Sequence, residues 1–262
     1  MSTIDHAQVP PVVVVVPGSF APAKLYDTFT AVLRKHGIES EVVDTPSVGI
    51  REGLGPQSMS DDVAEIVKVV SDLLEKGKQV ILLTHSYGGI PGTQSLQQLS
   101  RVSREAAGKA GGIDKIIYLT AIVPPVGVGN FDFLGTNVPD FLTVDDDYMR
   151  ITPEGTASLT FSDLPPGQAL EAAKQMSEHS TPSFKEKLTY PGYNDVEVHY
   201  IVCEEDRLVL PEHQLAMVEF LKGSTGRDIN VHKLQSGHAP VASQPENLAK
   251  IVAEICGGAE SV

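Results

Sequence analysis

The sequence is short of cysteine and of positive charge. Its two cysteines, Cys203 and Cys256, form no C-x-x-C pair, so it contains no thiolate metal motif or redox motif. We expect two buried thiols in a reducing compartment, with a disulfide between them as the alternative. The 20 Lys and Arg are outnumbered by 34 Asp and Glu, a formal charge of −14. That charge argues against nucleic acid or an anionic membrane as a partner.

Long apolar runs are also missing. The valines at 12–16 form a run far too short for a signal-peptide core or a membrane span. A length of 262 residues with 41% hydrophobic and 21% charged residues is typical of one soluble globular domain. We therefore expect a cytoplasmic protein with no membrane partner. The oligomeric state is left open, with a homodimer as one option.

Strand-like and helix-like segments alternate through most of the chain. Strands are predicted where apolar runs are short and bounded by turn residues, over 12–16, 38–44, 79–83, 114–120, 196–203 and 228–234. Helices are predicted where apolar residues recur at helical spacing, over 23–36, 58–76, 88–107, 211–221 and 245–255. Ser60 is the candidate N-cap of the second helix, with Asp61 and Asp62 in its first turn. This alternation predicts an α/β fold, a mostly parallel sheet with helices on both faces.

The alternation stops near residue 121. Residues 124–195 are rich in Gly, Pro and acidic side chains, with helices predicted over 166–178 and 181–188. This segment is too poor in periodic apolar residues to bury a core alone, so we predict a small helical cap over the sheet. The α/β core then comprises residues 1–123 and 196–262. Asp145, Asp146 and Asp147 could suggest a metal cluster, but such a run is typical of a solvated surface, and no metal or cofactor is predicted.

Three reactive side chains follow predicted strands. Ser86 lies between a strand and Gly88-Gly89, Asp206 follows the strand ending near Cys203, and His238 follows the last strand. Loops at the carboxyl ends of parallel strands converge, so we expect the three to meet. Their chain order, Ser, Asp, His, is the order that a serine on a strand-to-helix turn requires in this architecture. Glu204 and Glu205 adjoin Asp206 and remain alternatives for the acid.

These residue types suit nucleophilic catalysis. A serine hydroxyl becomes nucleophilic when an imidazole takes its proton, and a carboxylate holds the imidazole in the required tautomer. The oxyanion formed by the attack needs two N–H donors. We expect them from Tyr87, the residue after the nucleophile, and from Ser19 in the loop after the first strand, with Phe20 as the next candidate. Phe20 is also expected to line the substrate pocket.

The motifs at 17–20, 85–89, 202–206 and 237–246 resemble those of single-domain α/β-hydrolases with a small cap. The chain is similar to the group that contains plant methylesterases, hydroxynitrile lyases and their fungal and bacterial relatives. The resemblance covers nearly the whole chain and is weakest in the cap. It implies a carboxylic ester hydrolase that cleaves a small ester or lactone through an acyl-enzyme, with Ser86, His238 and Asp206 as the triad.

The chain departs from the family pattern at several positions. Pro17 replaces the family's histidine, and Thr84 replaces the first glycine of G-x-S-x-G. Hydroxynitrile lyases of this group have a lysine after the catalytic histidine and a threonine in the oxyanion loop, whereas this chain has Ala239 and Gly18, so cyanohydrin cleavage is disfavoured. Ser86 argues against the aspartate-nucleophile enzymes of this fold, the epoxide hydrolases and haloalkane dehalogenases. A lyase, an isomerase, a cyclising acyl transferase and a non-catalytic small-molecule receptor remain alternatives.

Overall fold

The fold is that of a computed structural model which describes residues 10–134 and 139–257. The ends of the chain, 1–9 and 258–262, and the cap segment 135–138 lie outside the described residues. The described strands are β1 (Val12–Val16), β2 (Ser40–Val42), β3 (Val80–His85), β4 (Lys115–Leu119), β5 (Leu142–Val144), β6 (Tyr148–Ile151), β7 (His179–Ser180), β8 (Glu197–Cys203) and β9 (Asn230–Leu234).

The helices complete the alternation. They are α1 (Asp27–Lys35), α2 (Met59–Glu75), α3 (Gly89–Leu99), α4 (Arg101–Ala106), α5 (Asn130–Leu134), α6 (Pro153–Leu159), α7 (Pro166–Ala173), α8 (Thr181–Lys185), α9 (Pro211–Thr225), α10 (Pro240–Ser243) and α11 (Pro245–Ile255). Short 3₁₀ turns precede α1 and α3. In the parts of the chain that the structure describes, no helix is both long and apolar enough to cross a bilayer.

Six strands form one parallel sheet in the order β2-β1-β3-β4-β8-β9. Strand β1 is buried on both faces because Val12, Val14 and Val16 join one apolar cluster while Val13 and Val15 join the other. Helices α2, α3 and α9 cover the first face, and α1 and α11 cover the second. The predicted α/β-hydrolase architecture is therefore confirmed, and the carboxyl ends of β3, β8 and β9 lie along one edge of the sheet.

The start of α2 differs from the prediction. Its N-cap is Ser58, whose hydroxyl accepts the Asp61 N–H while the Asp61 carboxylate accepts the Ser58 N–H. This capping box satisfies two N–H groups that have no partner within the helix. Ser60 instead donates to Glu186 of the cap. Asp62 is fully buried, so its environment differs from that of an exposed first-turn acid that only stabilises the helix dipole.

The predicted helix over 88–107 is interrupted at Ser100. This residue has an extended backbone (φ −59°, ψ 149°), and its hydroxyl accepts the Ser103 N–H at the start of α4. The extended conformation lets Arg101 N–H donate to Ile113 O and Ile113 N–H to Leu99 O. A serine that can cap a new helix thus competes successfully with helix continuation.

The cap, which we define as residues 124–195, is more than helical. Strands β5, β6 and β7 form a small antiparallel sheet that the sequence did not reveal, because strands of two to four residues are too short to show a period. The predicted helix over 166–178 ends at Ala173, since the following residues extend to pair His179 with Met149 of β6. The cap therefore runs along the core in extended conformation at 177–180.

The turn after β3 depends on close backbone approaches. Ser86 has a φ of 52°, a left-handed conformation that costs free energy in a residue with a side chain. A Cβ on Gly88 would lie 2.6 Å from the Val16 and Pro17 carbonyl oxygens, and one on Gly89 would lie 2.3 Å from Ile122 O. Only glycine fits at either position.

Gly92 explains how Thr84 can replace the first glycine of G-x-S-x-G. A Cβ built on Gly92 would lie 2.4 Å from Thr84 Cγ2, much closer than two carbon atoms can approach. The residue without a side chain, which the motif has at position 84 before the turn, is here Gly92 in the first turns of α3. Thr84 is therefore accommodated because its methyl group occupies the space that a residue at position 92 leaves empty.

We expect Gly92→Ala to lower the free energy of unfolding by about 1–3 kcal/mol, because the new methyl overpacks against Thr84. Adding Thr84→Ala, which removes Cγ2, should recover most of that loss. Urea denaturation of both single variants and the double variant measures this coupling. Gly223→Ala in α9, where a Cβ meets nothing within 4 Å, should raise stability by about 0.5–1 kcal/mol. Additive losses at positions 84 and 92 would contradict the explanation.

Candidate active site

Ser86, His238 and Asp206 lie in a hydrogen-bonded line at the carboxyl edge of the sheet. His238 Nε2 is 3.0 Å from Ser86 Oγ, and His238 Nδ1 is 2.7 Å from Asp206 Oδ2. All three side chains are buried. A carboxylate can only accept, so Nδ1 carries the proton and Nε2 is left to accept from the Ser86 hydroxyl. In this tautomer the imidazole can remove the serine proton.

Asp206 is held in its ionised form. Its Oδ2 also accepts from Thr120 Oγ at 2.6 Å, and its Oδ1 accepts the N–H groups of Leu208 at 2.7 Å and Val209 at 2.9 Å. Burial favours the neutral acid, but the attraction of His238 when its ring is protonated, the hydrogen bond from Nδ1–H and these other donors outweigh it. The pKa of Asp206 therefore lies below its ordinary value.

The neighbouring carboxylates lie elsewhere. Glu204 pairs with Lys233 of β9 at 2.8 Å and with Gln235 just after that strand, and Glu205 is exposed. The structure thus brings Asp206 to His238. The turn after β8, in which the Asp206 N–H donates to Cys203 O, directs Asp206 inward.

His85 links the two loops that flank Ser86. We call residues 17–21 the oxyanion loop and residues 235–240 the histidine loop. The Gly18 N–H donates to Tyr26 Oη at 2.9 Å, Tyr26 Oη–H donates to His85 Nδ1 at 2.7 Å, and His85 Nε2–H donates to His238 O at 2.8 Å. Burial, and then the nearby His238, lower the pKa of His85 to about 3. His85 is therefore neutral and structural.

The oxyanion loop approaches the turn closely. A Cβ on Gly18 would lie 3.2 Å from Ser86 Cβ, so the loop backbone lies directly beside the nucleophile candidate. The Phe20 N–H donates to His179 Nδ1 at 3.1 Å, which removes this amide as an oxyanion donor. The Ser19 and Tyr87 amides remain the candidates, and Ser19 lines the cavity above Ser86.

The cavity beside Ser86 has a volume of about 200 Å³ and lies between the sheet edge and the cap. None of the described residues that line it is Lys, Arg, Asp or Glu. Its wall is mostly aromatic and aliphatic, and it includes Phe20, Ile122, Phe133, Phe141, Leu142, Ile151, Phe161, Met176, Phe184 and Met217. Phe20, which was predicted to line a substrate pocket, lies in this wall. The site thus offers a mostly apolar enclosure around the Ser86–His238–Asp206 line, with Asn130, Thr156, Thr160 and His213 as further polar residues in its wall.

Polar side chains of the cap contact both catalytic loops, and the sequence did not identify them. His179 bonds to Phe20, and Asp163 accepts from Gly237 and Ser243. Partners 159 and 74 positions apart give no local pattern, so nothing in the sequence could have found them. In the described residues, no group of three or more His, Cys, Asp or Glu side chains is arranged to hold a metal.

A profile of the "Alpha/beta hydrolase family" matches residues 13–251. The chain belongs to this family. It is 36% identical over 248 residues to a protein of Phoma sp. named as a probable hydrolase, and the aligned region covers 94% of this chain and 98% of that protein. It is 25% identical over 254 residues to an alpha/beta hydrolase of Aspergillus novofumigatus, covering 95% and 98%. Family membership and these relatives identify an enzyme of the hydrolase class.

Solved structures share the fold. A pyrethroid hydrolase from Sphingobium faniae superposes with a TM-score of 0.73 at 21% identity, covering 94% of this chain and 97% of that chain. Polyneuridine aldehyde esterase gives 0.71 at 20% identity, covering 94% and 99%. Tomato methylketone synthase I gives 0.73 at 18% identity, covering 95% and 98%. These three proteins are named for different reactions, so the structural similarity establishes the architecture alone.

We expect Asp206→Asn to slow the reaction at Ser86 by about 10³–10⁴-fold, because an amide no longer holds Nδ1–H and the wrong tautomer forms. The rate of labelling of Ser86 by a fluorophosphonate measures this without a known substrate. Glu204→Gln and Glu205→Gln are the matched controls and should stay within about threefold of wild type, because neither side chain bonds to His238. A large loss in either control, with little loss in Asp206→Asn, would reassign the acid.

Proposed function

We propose that the protein is a serine hydrolase that cleaves a small, uncharged carboxylic ester or lactone through an acyl-enzyme. The observation that carries this proposal is the Ser86–His238–Asp206 line opening into an apolar cavity. A general base within hydrogen-bond reach of a serine, itself oriented by a buried carboxylate, is the arrangement that acyl transfer requires. The hydrolase relatives support the same reaction class.

In the first half-reaction, Ser86 Oγ attacks the carbonyl carbon of the ester and its proton passes to His238 Nε2. Asp206 stabilises the imidazolium through Nδ1–H. The Ser19 and Tyr87 amides donate to the oxyanion, and each such donor is worth about 2.7–4 kcal/mol in the transition state. Collapse of the tetrahedral intermediate breaks the bond to the leaving alkoxide, which takes the proton from His238.

In the second half-reaction, water gives a proton to His238 Nε2 and attacks the acyl carbon. A second tetrahedral intermediate forms at the same amides and releases the carboxylic acid, while Ser86 regains its proton from His238. A lactone follows the same two steps with the alcohol still attached to the acyl group. His238 thus acts as base and then acid in each half.

The cavity supports the substrate class. A wall without described charged side chains gives no partner for a charged acyl or alcohol group, and burying an unpaired charge is costly. A volume of about 200 Å³ is below the 300–1,000 Å³ of typical ligand pockets, which favours a compact substrate. We also propose that the enzyme needs no cofactor and works in the cytoplasm on a small molecule.

We expect a fluorophosphonate probe to label the folded wild-type protein at Ser86 and to leave Ser86→Ala unlabelled. Ser95→Ala is a matched control, since Ser95 is another buried serine whose hydroxyl bonds to Gly92 O in α3, and it should label like wild type. A screen of p-nitrophenyl esters, methyl esters and lactones should show turnover that Ser86→Ala loses.

Hydrolysis in H₂¹⁸O separates the proposal from its alternatives. A hydrolase places the heavy oxygen in the product acid, whereas a lyase, an isomerase or a cyclising acyl transferase does not. Labelling without heavy-oxygen product would therefore support those reactions on the same residues. Absence of label on Ser86, with ligand affinity unchanged in Ser86→Ala, would favour a receptor.

A further inference from the structure

The oxyanion loop is held in a strained conformation by the cap. Phe20 has a φ of 61°, in the left-handed region that residues with a side chain avoid. Both of its backbone polar groups bond to the extended cap segment, since Phe20 N–H donates to His179 Nδ1 at 3.1 Å and Phe20 O accepts the Ser177 N–H at 2.9 Å. Such strain persists only where the surroundings fix it. Here the fixing contacts come from residues outside the core.

His179 is well suited to hold this contact. It is completely buried, and its Nε2–H donates to Ser183 Oγ at 2.9 Å, which in turn donates to Ser180 O at 2.8 Å. This chain fixes the tautomer in which Nδ1 accepts. Burial lowers the pKa of His179 to about 3, so the ring stays neutral and keeps its acceptor.

Tyr87, whose N–H is the other candidate donor to the oxyanion, packs against His179 and Phe184 of the cap. Its ring packs edge-on against His179 with 4.8 Å between centroids and stacks on Phe184 at 5.3 Å. Its hydroxyl donates to the buried Asp62 at 2.6 Å, which also accepts from the N–H and hydroxyl of Ser47. The side chain of Tyr87 is thus anchored in the core on one side and against the cap on the other.

The cap holds the histidine loop as well. Asp163 Oδ2 accepts the Gly237 N–H at 2.8 Å and the Ser243 hydroxyl at 2.7 Å. A Cβ on Gly237 would lie 2.7 Å from Asp163 Oδ1, so a side chain just before His238 would have to displace the Asp163 carboxylate. His85 Nε2–H donates to the carbonyl oxygen of His238 from the core side, and Asp163 accepts the N–H of the preceding residue, Gly237, from the cap.

We infer that His179 and Asp163 are positioning residues, through which the cap sets the geometry of the oxyanion loop and the histidine loop for acyl transfer. This inference rests on the proposed serine hydrolase function. It gives the cap a part in the chemical step in addition to its part in the pocket wall. A third contact between cap and core provides the comparison, because Glu186 Oε2 accepts the N–H of Ser60 at 2.7 Å and its hydroxyl at 3.0 Å. That contact joins the cap to α2 and involves neither catalytic loop.

The test at position 179 compares His179→Asn with His179→Gln. The Asn amide oxygen, like Nδ1, lies two bonds from Cβ and can accept the Phe20 N–H, whereas the Gln oxygen lies at the Nε2 position. On the best ester from the screen, we expect His179→Gln to lower kcat 10- to 100-fold with KM within threefold of wild type, and His179→Asn to keep at least a third of wild-type kcat. Glu186→Ala should lower Tm and leave kcat unchanged.

A trifluoromethyl ketone with the acyl group of that ester supplies a readout that loss of stability alone would not move. It forms a tetrahedral adduct with a serine, whereas the primary alcohol with the same carbon chain, in which CH₂OH replaces the carbonyl group, is neutral and binds without an oxyanion. His179→Gln should weaken the ketone by the same 10- to 100-fold and change the affinity of this alcohol less than threefold. At the other contact, Asp163→Ala should slow fluorophosphonate labelling of Ser86 about tenfold, and Asp163→Asn, which keeps an acceptor oxygen, should label within threefold of wild type.

Equal losses for the ketone and the alcohol, equal kcat in His179→Asn and His179→Gln, or a kcat loss in Glu186→Ala that matches that of His179→Gln would overturn the role of His179. Wild-type labelling rates in Asp163→Ala would overturn the role of Asp163. In either case, labelling of the wild-type protein at Ser86 would leave the proposed serine hydrolase function intact. Failure of the wild-type protein to label would instead overturn the proposed function itself.

Discussion

The structure depends on how closely the backbone after β3 approaches its neighbours. The carbonyl oxygens of Val16, Pro17 and Ile122 lie where the side chains of Gly88 and Gly89 would have been, and the Ile122 N–H donates to Ser86 O at 2.9 Å. These contacts hold Ser86 at a φ of 52°, a conformation that the serine would not keep alone. The loops after β1 and β4 are pressed against the same turn. The position of Ser86 and the strain in its backbone therefore depend on β3 and on the loops after its two neighbours in the sheet, β1 and β4.

The remaining side chains of the site are fixed by polar contacts on two sides. Below the cavity, Tyr26 and His85 connect the oxyanion loop to the carbonyl of His238. Above it, His179 and Asp163 bond to the same two loops from the cap. Each donor and acceptor in these chains has one consistent assignment, since a carbonyl and a carboxylate can only accept. Paired groups in a buried network hold a single arrangement of their parts. Among the described residues Asp163 Oδ1 is an exception, since this buried oxygen has no hydrogen-bond partner.

The sequence predicted what depends on local pattern. Buried strands such as β1, the amphipathic α2 and both ends of α11 follow from apolar spacing, and Ser86, Asp206 and His238 follow from their positions after strands. What it could not predict depends on distant partners or on very short elements. The β5–β7 sheet is too short for a period, Asp62 resembled an ordinary first-turn acid, and His179 showed no spacing with any partner. The acid was left open among three carboxylates because only the fold decides which one turns inward.

The pairing of Thr84 with Gly92 bears on the order in which substitutions can accumulate. From a chain with glycine before the turn and a larger residue at position 92, introducing threonine first would create a clash near 2.4 Å, whereas losing the side chain at 92 first leaves only a vacant space. The viable route therefore passes through an intermediate with glycine at both positions. A pattern search that insists on the first glycine would overlook proteins that have completed this route, and a search that reads the two positions jointly would find them.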